Sequence, residues 1–146
     1  MVETVTLTID GRDVTVPKGT TILEACEGMG TRVPHYCYHP GLTAPAQCRL
    51  CLVEVEGAPK LQASCVTMAM DGQVVRTQSA PAKGAREGVL DFYLQNHPLD
   101  CPICDQSGEC FFQDYVHAEG PARTTTKEPK RVFGRDDFGG DVLFYG

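Results

Sequence analysis

Seven of the eight cysteines in this 146-residue chain fall into two compact constellations, and that placement constrains the fold more than any other feature. The first is Cys37-x10-Cys48-x2-Cys51-x13-Cys65, and the second, His97-x3-Cys101-x2-Cys104-x5-Cys110, sets an imidazole beside three thiols. Each segment must bend its backbone around whatever the side chains hold. Eight cysteines could also make four disulfides. However, the run Met1-Val2-Glu3-Thr4-Val5-Thr6 has no basic and no apolar region of a secretory signal. No stretch approaches the roughly 18 apolar residues of a membrane span. Such a chain is expected in the cytosol, where disulfides seldom persist and clustered cysteines are more often metal ligands.

Periodicity places the constellations on a framework. Val5, Leu7 and Ile9 alternate with polar residues, Asp10-Gly11 offers a tight turn, and Val14 and Val16 alternate again, which predicts a hairpin. Thr21-Ile22-Leu23-Glu24 has capping-box spacing, and Ile22, Cys26 and Met29 form one apolar face of a helix that Gly28 or Gly30 can end. From Arg32 to Ala46 the chain is irregular. Strands are expected over Leu50–Val55, Leu61–Val66 and at Val74-Val75, the last after a turn at Asp71-Gly72. A mixed sheet with one packed helix is the simplest layout. Beyond Ala80, the residues Ala85, Val89, Phe92 and Tyr93 share a helical face, and Asn96-His97-Pro98 ends that helix. After the second constellation Phe112, Tyr115 and Val116 predict a short helix closed by Gly120-Pro121, and from Ala122 onward the chain reads as an extended linker.

Four thiolates suit either tetrahedral zinc or an iron–sulfur cluster. Structural zinc usually takes two Cys-x2-Cys knuckles, and the first constellation has one. Its three nearby cysteines and one distant one are similar to the [2Fe–2S] pattern of plant-type ferredoxins, with a longer first gap and a shorter last one. Backbone N–H groups of an irregular loop can point at the sulfurs and stabilise negative charge. Gly41, Ala44 and Ala46 let the backbone approach, and Arg49 adds a cation between two ligands. The second set fits tetrahedral zinc and a cuboidal [4Fe–4S] core equally well on spacing alone.

Pro34-His35-Tyr36-Cys37, Cys48-Arg49-Leu50-Cys51-Leu52-Val53, Ala63-Ser64-Cys65, and the run His97-Pro98-Leu99-Asp100-Cys101-Pro102-Ile103-Cys104-Asp105 with Gly108-Glu109-Cys110 together resemble one family. It is that of the large iron–sulfur subunits, or G chains, of NADH–quinone oxidoreductase, the proton-translocating respiratory complex I, and the resemblance covers nearly the whole chain. It implies an α+β fold, a β-grasp [2Fe–2S] ferredoxin-like domain over 1–80, then a small helical [4Fe–4S]-binding domain over 81–121 and a linker or tail over 122–146. The implied ligands are Cys37, Cys48, Cys51 and Cys65 for one [2Fe–2S] cluster, and His97, Cys101, Cys104 and Cys110 for one [4Fe–4S] cluster. The implied role is electron relay from a flavin-bearing NADH-oxidising subunit toward quinone, alongside other peripheral-arm subunits. Membrane association would then be peripheral, through partners, on the cytoplasmic face of a bacterial membrane. Family chains continue into further cluster motifs and a large molybdopterin-type domain, so Leu143-Phe144-Tyr145-Gly146 reads as a fragment's end. The same module occurs in NAD-reducing hydrogenases and formate dehydrogenases, and a zinc-stabilised interaction domain is the alternative from another class.

The remaining motifs read plainly. Cys26 is expected to pack as a small hydrophobe. His35 and His39 are expected as loop hydrogen-bonders or exposed, and His117 at the surface. Phe92, Tyr93, Phe111 and Phe112 are expected to shield the second centre or fill the core. Lys127, Lys130, Arg131 and Arg135 suggest a solvated linker or subunit contact. Thirteen Lys+Arg against 19 Asp+Glu give a net charge of −6, which argues against nucleic acid. There is no G-x-G-x-x-G or P-loop and nothing like a Ser/His/Asp triad, so no complete catalytic site is expected in this chain alone.

Overall fold

The computed structural model describes residues 3–121 and 123–131, and the backbone of two short strands at 136–137 and 143–144. The chain divides into two compact units, Met1–Val89 and Leu90–Gly146.

The first unit begins with the expected hairpin. Strands β1 (Thr4–Ile9) and β2 (Arg12–Pro17) pair antiparallel with Ile9 opposite Arg12. Asp10 and Gly11 both take left-handed φ, 48° and 79°, as a two-residue turn that follows strand twist requires. Helix α1 spans Ile22–Gly28. Its capping box is complete: the Glu24 N–H donates to the Thr21 hydroxyl at 3.2 Å, and the Thr21 N–H donates to the Glu24 carboxylate at 2.7 Å. At the other end Gly30 is left-handed (φ 77°), with its N–H on the Glu27 carbonyl and the Thr31 N–H on the Cys26 carbonyl. That is a Schellman stop, so Gly30 rather than Gly28 terminates the helix.

Strands β3 (Leu52–Val55), β4 (Gln62–Ala63) and β5 (Val74–Arg76) complete a five-stranded sheet in the order β2-β1-β5-β3-β4. β5 lies parallel to β1 and antiparallel to β3, so the sheet is mixed. Leu7, Ile9, Val53 and Val75 from the strands pack with Ile22, Leu23 and Cys26 of α1 into one buried core. One helix grasped by a mixed sheet is the β-grasp layout anticipated from the motifs. Two strands are shorter than the sequence suggests. Leu50 is buried ahead of β3, directly after the left-handed Arg49. β4 stops at Ala63 because its carbonyl closes a turn, accepting from the N–H groups of Val66 and Thr67 and from the Thr67 hydroxyl.

Helix α2 runs Ala80–Leu94, with the division between the two units inside it. Its buried residues are Ala82, Arg86, Leu90 and Leu94, at four-residue steps. Phe92, expected to shield or fill, is instead 67% exposed, because this stripe lies on the other side of the helix. Arg86 is fully buried, with Nη1 donating to the Thr77 carbonyl at 2.8 Å and to the Leu52 carbonyl at 3.4 Å. In the second unit α3 spans Phe111–Glu119, closed at Gly120 as expected, with Tyr115 buried. Strands β6 (Asp136–Asp137) and β7 (Leu143–Phe144) pair antiparallel, which no sequence pattern indicated.

Removing the N-cap in Thr21→Ala should cost about 1 kcal/mol in urea unfolding. The Glu24 pKa is lowered, chiefly by the Thr21 N–H, with the Thr21 and Tyr38 hydroxyls assisting against burial. A depressed carboxylate contributes stability above its unfolded pKa and loses it as pH falls through the folded value. The stability gap between the parent and Glu24→Gln should therefore be present at neutral pH and shrink through the carboxylate range, as read from melts across pH.

Candidate metal centres

The first centre is built from the irregular loop, the start of β3 and the turn after β4. The loop has no periodicity of its own and is held by tethers. Val33 and Leu50 are buried, the Tyr38 hydroxyl donates to Glu24 of α1 at 3.1 Å, and His35 bonds the Val33 carbonyl at 2.9 Å. The turn carrying Cys65 is fixed by Ser64, fully buried, whose hydroxyl and N–H both donate to the Cys51 carbonyl at 2.8 and 3.1 Å. The first N–H groups of α1, on Ile22 and Leu23, donate to the carbonyls of Thr67 and Ser64. Helix, loop and turn thus converge on one place.

Two of the sulfurs there are in contact. Cys37 Sγ lies 3.4 Å from Cys48 Sγ. Burial disfavours a thiolate at Cys48, yet the N–H groups of Leu50, Cys37 and Tyr36, with the Cys37 thiol, outweigh it and hold the Cys48 pKa down. The Cys65 thiol is pushed up to about 12, first by burial, then by its hydrogen bond to Cys51 and the charges of Cys51, Cys37 and Cys48. All four sulfurs therefore share one electrostatic neighbourhood. Ala46 and Arg49, on either side of Cys48, are both left-handed, with φ 55° and 54°. Such residues cost roughly 1–2 kcal/mol each, and alternating left- and right-handed backbone turns successive N–H groups inward to make an anion-binding concavity. Donors aimed at buried sulfur are what an anionic metal–sulfur centre needs. Among the described residues, no three His, Cys, Asp or Glu side chains converge to hold a single ion.

The second centre lies wholly in the second unit. His97, Cys101, Cys104 and Cys110 all line one cavity of about 250 Å³, whose wall includes the apolar Leu94, Phe112 and Val116 and the polar Asp100, Gln113 and His117. Cys101–Ile103 form a single 3-10 turn, and the Ser107 N–H donates to the Cys104 carbonyl at 3.0 Å. Gly108 takes φ 88° as the loop turns back toward Cys110. Cys110 is the N-cap residue of α3, where the helix dipole favours negative charge. Burial, and then the charge of Lys130, lower the His97 pKa, which favours the neutral imidazole over the charged form. The His97 ring meets Phe112 edge-on at 4.8 Å, and Phe112 meets Tyr93 at 6.1 Å. Phe112 thus shields the cavity as expected, but Phe111 does not: it is 63% exposed and stacks on Tyr115.

Of the remaining candidates, Cys26 is fully buried and its pKa rises to about 12, first through burial and then through the charges of Asp10 and Glu27. His39 accepts from the Gly41 N–H at 3.1 Å, and both His39 and His117 are exposed. In the basic run, expected as a solvated linker or subunit contact, Lys127 and Arg131 are exposed while Lys130 is half-buried and donates to two backbone carbonyls; Arg135 lies outside the described residues. Arg86 and Lys130 were missed as site-proximal groups. Only the four-residue step between Ala82 and Leu90 hints that Arg86 points inward.

Known proteins bear out the resemblance. Residues 2–80 match the family model described as a 2Fe-2S iron-sulfur cluster binding domain, and residues 86–124 match the NADH-ubiquinone oxidoreductase-G iron-sulfur binding region. The mitochondrial NADH dehydrogenase [ubiquinone] iron-sulfur protein 1 of Solanum tuberosum is 52% identical over 123 residues, 84% of this chain and 17% of that protein. A G chain of the NADH-quinone oxidoreductase of Rhizobium meliloti (strain 1021) is 48% identical over 131 residues, 90% of this chain and 15% of that protein. The chain thus spans about a sixth of the length of these relatives. In a crystal structure of an NAD+-reducing [NiFe]-hydrogenase in the H2-reduced state, a chain superposes with a TM-score of 0.81 at 30% identity, covering 95% of this chain and 58% of that one.

Because Cys26 belongs to neither constellation, Cys26→Ser should retain full iron and sulfide content. It should lower stability by about 1–3 kcal/mol, the cost of a buried hydroxyl without a partner. Native Cys26 should resist iodoacetamide until the protein is unfolded, as peptide mapping would show.

Proposed function

This chain belongs to the family of 2Fe-2S iron-sulfur cluster binding domains, and from that premise we propose that it is the electron-relaying iron–sulfur module of an NADH–quinone oxidoreductase, respiratory complex I. The observation that carries the proposal is the pairing of two separate sulfur-lined centres, one in each compact unit, on a chain that matches both iron–sulfur family models. The cofactors are one [2Fe–2S] and one [4Fe–4S] cluster.

Residues 1–80 would house the first and residues 81–121 the second. The 3.4 Å contact supports assigning Cys37 and Cys48 to one iron, which leaves Cys51 and Cys65 for the other. His97, Cys101, Cys104 and Cys110 would each hold one corner of the cuboidal core. When bound, the clusters supply one-electron acceptance and donation at iron. The chain's own residues do the rest. The N–H groups of Tyr36, Cys37 and Leu50 offset sulfur charge at the first centre. Leu94, Phe112 and Val116 give the second an apolar wall.

Electrons would enter from a flavin-bearing NADH-oxidising subunit and leave through further clusters toward quinone. Such a module acts only as part of a multi-subunit oxidoreductase. No helix among the described residues is long and apolar enough to cross a membrane. Attachment would be peripheral, through partners, on the cytoplasmic face. The likeness to the hydrogenase chain favours one second reading, the equivalent module of an NAD-reducing hydrogenase. Subunits that co-purify with the native protein separate the two.

Anaerobically prepared protein should be brown and carry about six irons and six acid-labile sulfides per chain. Two zincs and a colourless protein would refute the proposal. Cys104→Ser should abolish only the [4Fe–4S] paramagnetic signal and Cys51→Ser only that of the [2Fe–2S] cluster.

A further inference from the structure

The cluster-binding part of the second unit has no cation of its own. Between Arg86 and Arg123 the sequence contains no Lys or Arg, while Asp100, Asp105, Glu109 and Asp114 lie among or beside the candidate ligands. A cation is nevertheless brought in, by the segment after α3. That segment has no helix or strand over 123–131, but it is strapped along the end of α2. Asp91 accepts from the Thr124 hydroxyl at 2.9 Å and from the Thr125 N–H and hydroxyl at 2.8 and 2.5 Å. Further on, the Arg131 N–H donates to the Asn96 side-chain oxygen at 3.1 Å. Between these anchors Lys130 Nζ donates to the Leu94 carbonyl at 2.9 Å and to the His97 carbonyl at 2.7 Å. The first is a last-turn carbonyl of α2, where a cation also meets the favourable end of the helix dipole. The second belongs to the candidate histidine ligand itself.

We propose that Lys130 is a positioning residue of the second centre: its ammonium group, latched in place by Thr124 and Thr125 on Asp91, fixes the backbone of His97 and sets a cation beside the cluster that raises its reduction potential. This rests on the reading of His97 as a ligand. The physical ground is Coulombic. Reduction makes the centre one unit more negative, so a nearby fixed cation stabilises the reduced form more than the oxidised one. Being half-buried and held by two carbonyls, the group is screened less than a free surface lysine.

The test is an anaerobic redox titration, followed by electron paramagnetic resonance, of the assembled oxidoreductase carrying the substituted subunit. Lys130→Gln should lower the [4Fe–4S] midpoint by about 59 mV, a tenfold change for one electron. The [2Fe–2S] midpoint should not move, and Lys130→Arg should stay close to the parent. An unmoved [4Fe–4S] midpoint in a loaded Lys130→Gln overturns the proposal. So does equal loss of signal in both variants with no shift in the surviving fraction, the signature of a merely structural lysine. Should Lys130→Gln fail to load, the neutral pair Thr124→Ala and Thr125→Ala decides, since it removes the strap's two hydroxyl anchors on Asp91 without changing charge: a lowered midpoint supports the proposal and an unchanged one defeats it. Histidine-nitrogen hyperfine coupling on the parent's [4Fe–4S] signal is read separately. Its absence removes the ligand reading and the proposal together, and its presence with an unmoved midpoint removes only the role of Lys130.

Discussion

Anionic sulfur gathered in a protein interior needs donors around it, and the rest of this structure follows from that need. A thiolate buried without partners would be protonated. At Cys48 three backbone N–H groups reverse the effect of burial. Supplying them forces the loop into left-handed turns at Ala46 and Arg49, which regular secondary structure does not accommodate. The loop therefore has no internal ladder, and its order comes from elsewhere, through Tyr38 on Glu24, Ser64 on Cys51 and the first N–H groups of α1 on the turn beyond β4. The β-grasp sheet serves as the rigid frame to which those tethers are tied.

The second unit meets the same need with fewer residues. It has a cavity lined by all four candidate residues, a cysteine at a helix N-terminus, a 3-10 turn and a strap that returns along α2. Its candidate ligands come from a short stretch, so a single loop and its flanking helices can line the cavity. What the stretch lacks is positive charge, and the strap supplies it from a residue more than thirty positions beyond His97. Both centres thus depend on contacts distant in sequence, although the ligands of the second are neighbours along the chain.

Much of this was legible in the residues. The hairpin, the capping box and the order of strands and helix follow from local patterns whose physics is local: alternation, a two-residue turn and an N-cap. Legibility failed where a long-range partner overrode the pattern. β4 ends early because its last carbonyl is taken by Val66 and Thr67. The face of α2 marked by Phe92 is exposed, while the face bearing a charged residue, Arg86, is buried, because carbonyls of Leu52 and Thr77 await its guanidinium. Phe111 and Phe112 look interchangeable in sequence, yet one lies outside and the other against His97, a difference of about a hundred degrees around α3.

The sequence by itself determined the chemistry. Seven thiols and one imidazole at those spacings are donor sets suited to metal–sulfur chemistry, and the motifs around them carry the family likeness, because residue identity and spacing are covalent properties of the chain. Only the tertiary structure decided that Cys37 meets Cys48, which N–H groups face Cys48, which aromatic ring packs on His97 and which lysine reaches the histidine's carbonyl. Those are matters of distance between residues far apart in the chain, and distance is set by packing, which no local pattern encodes.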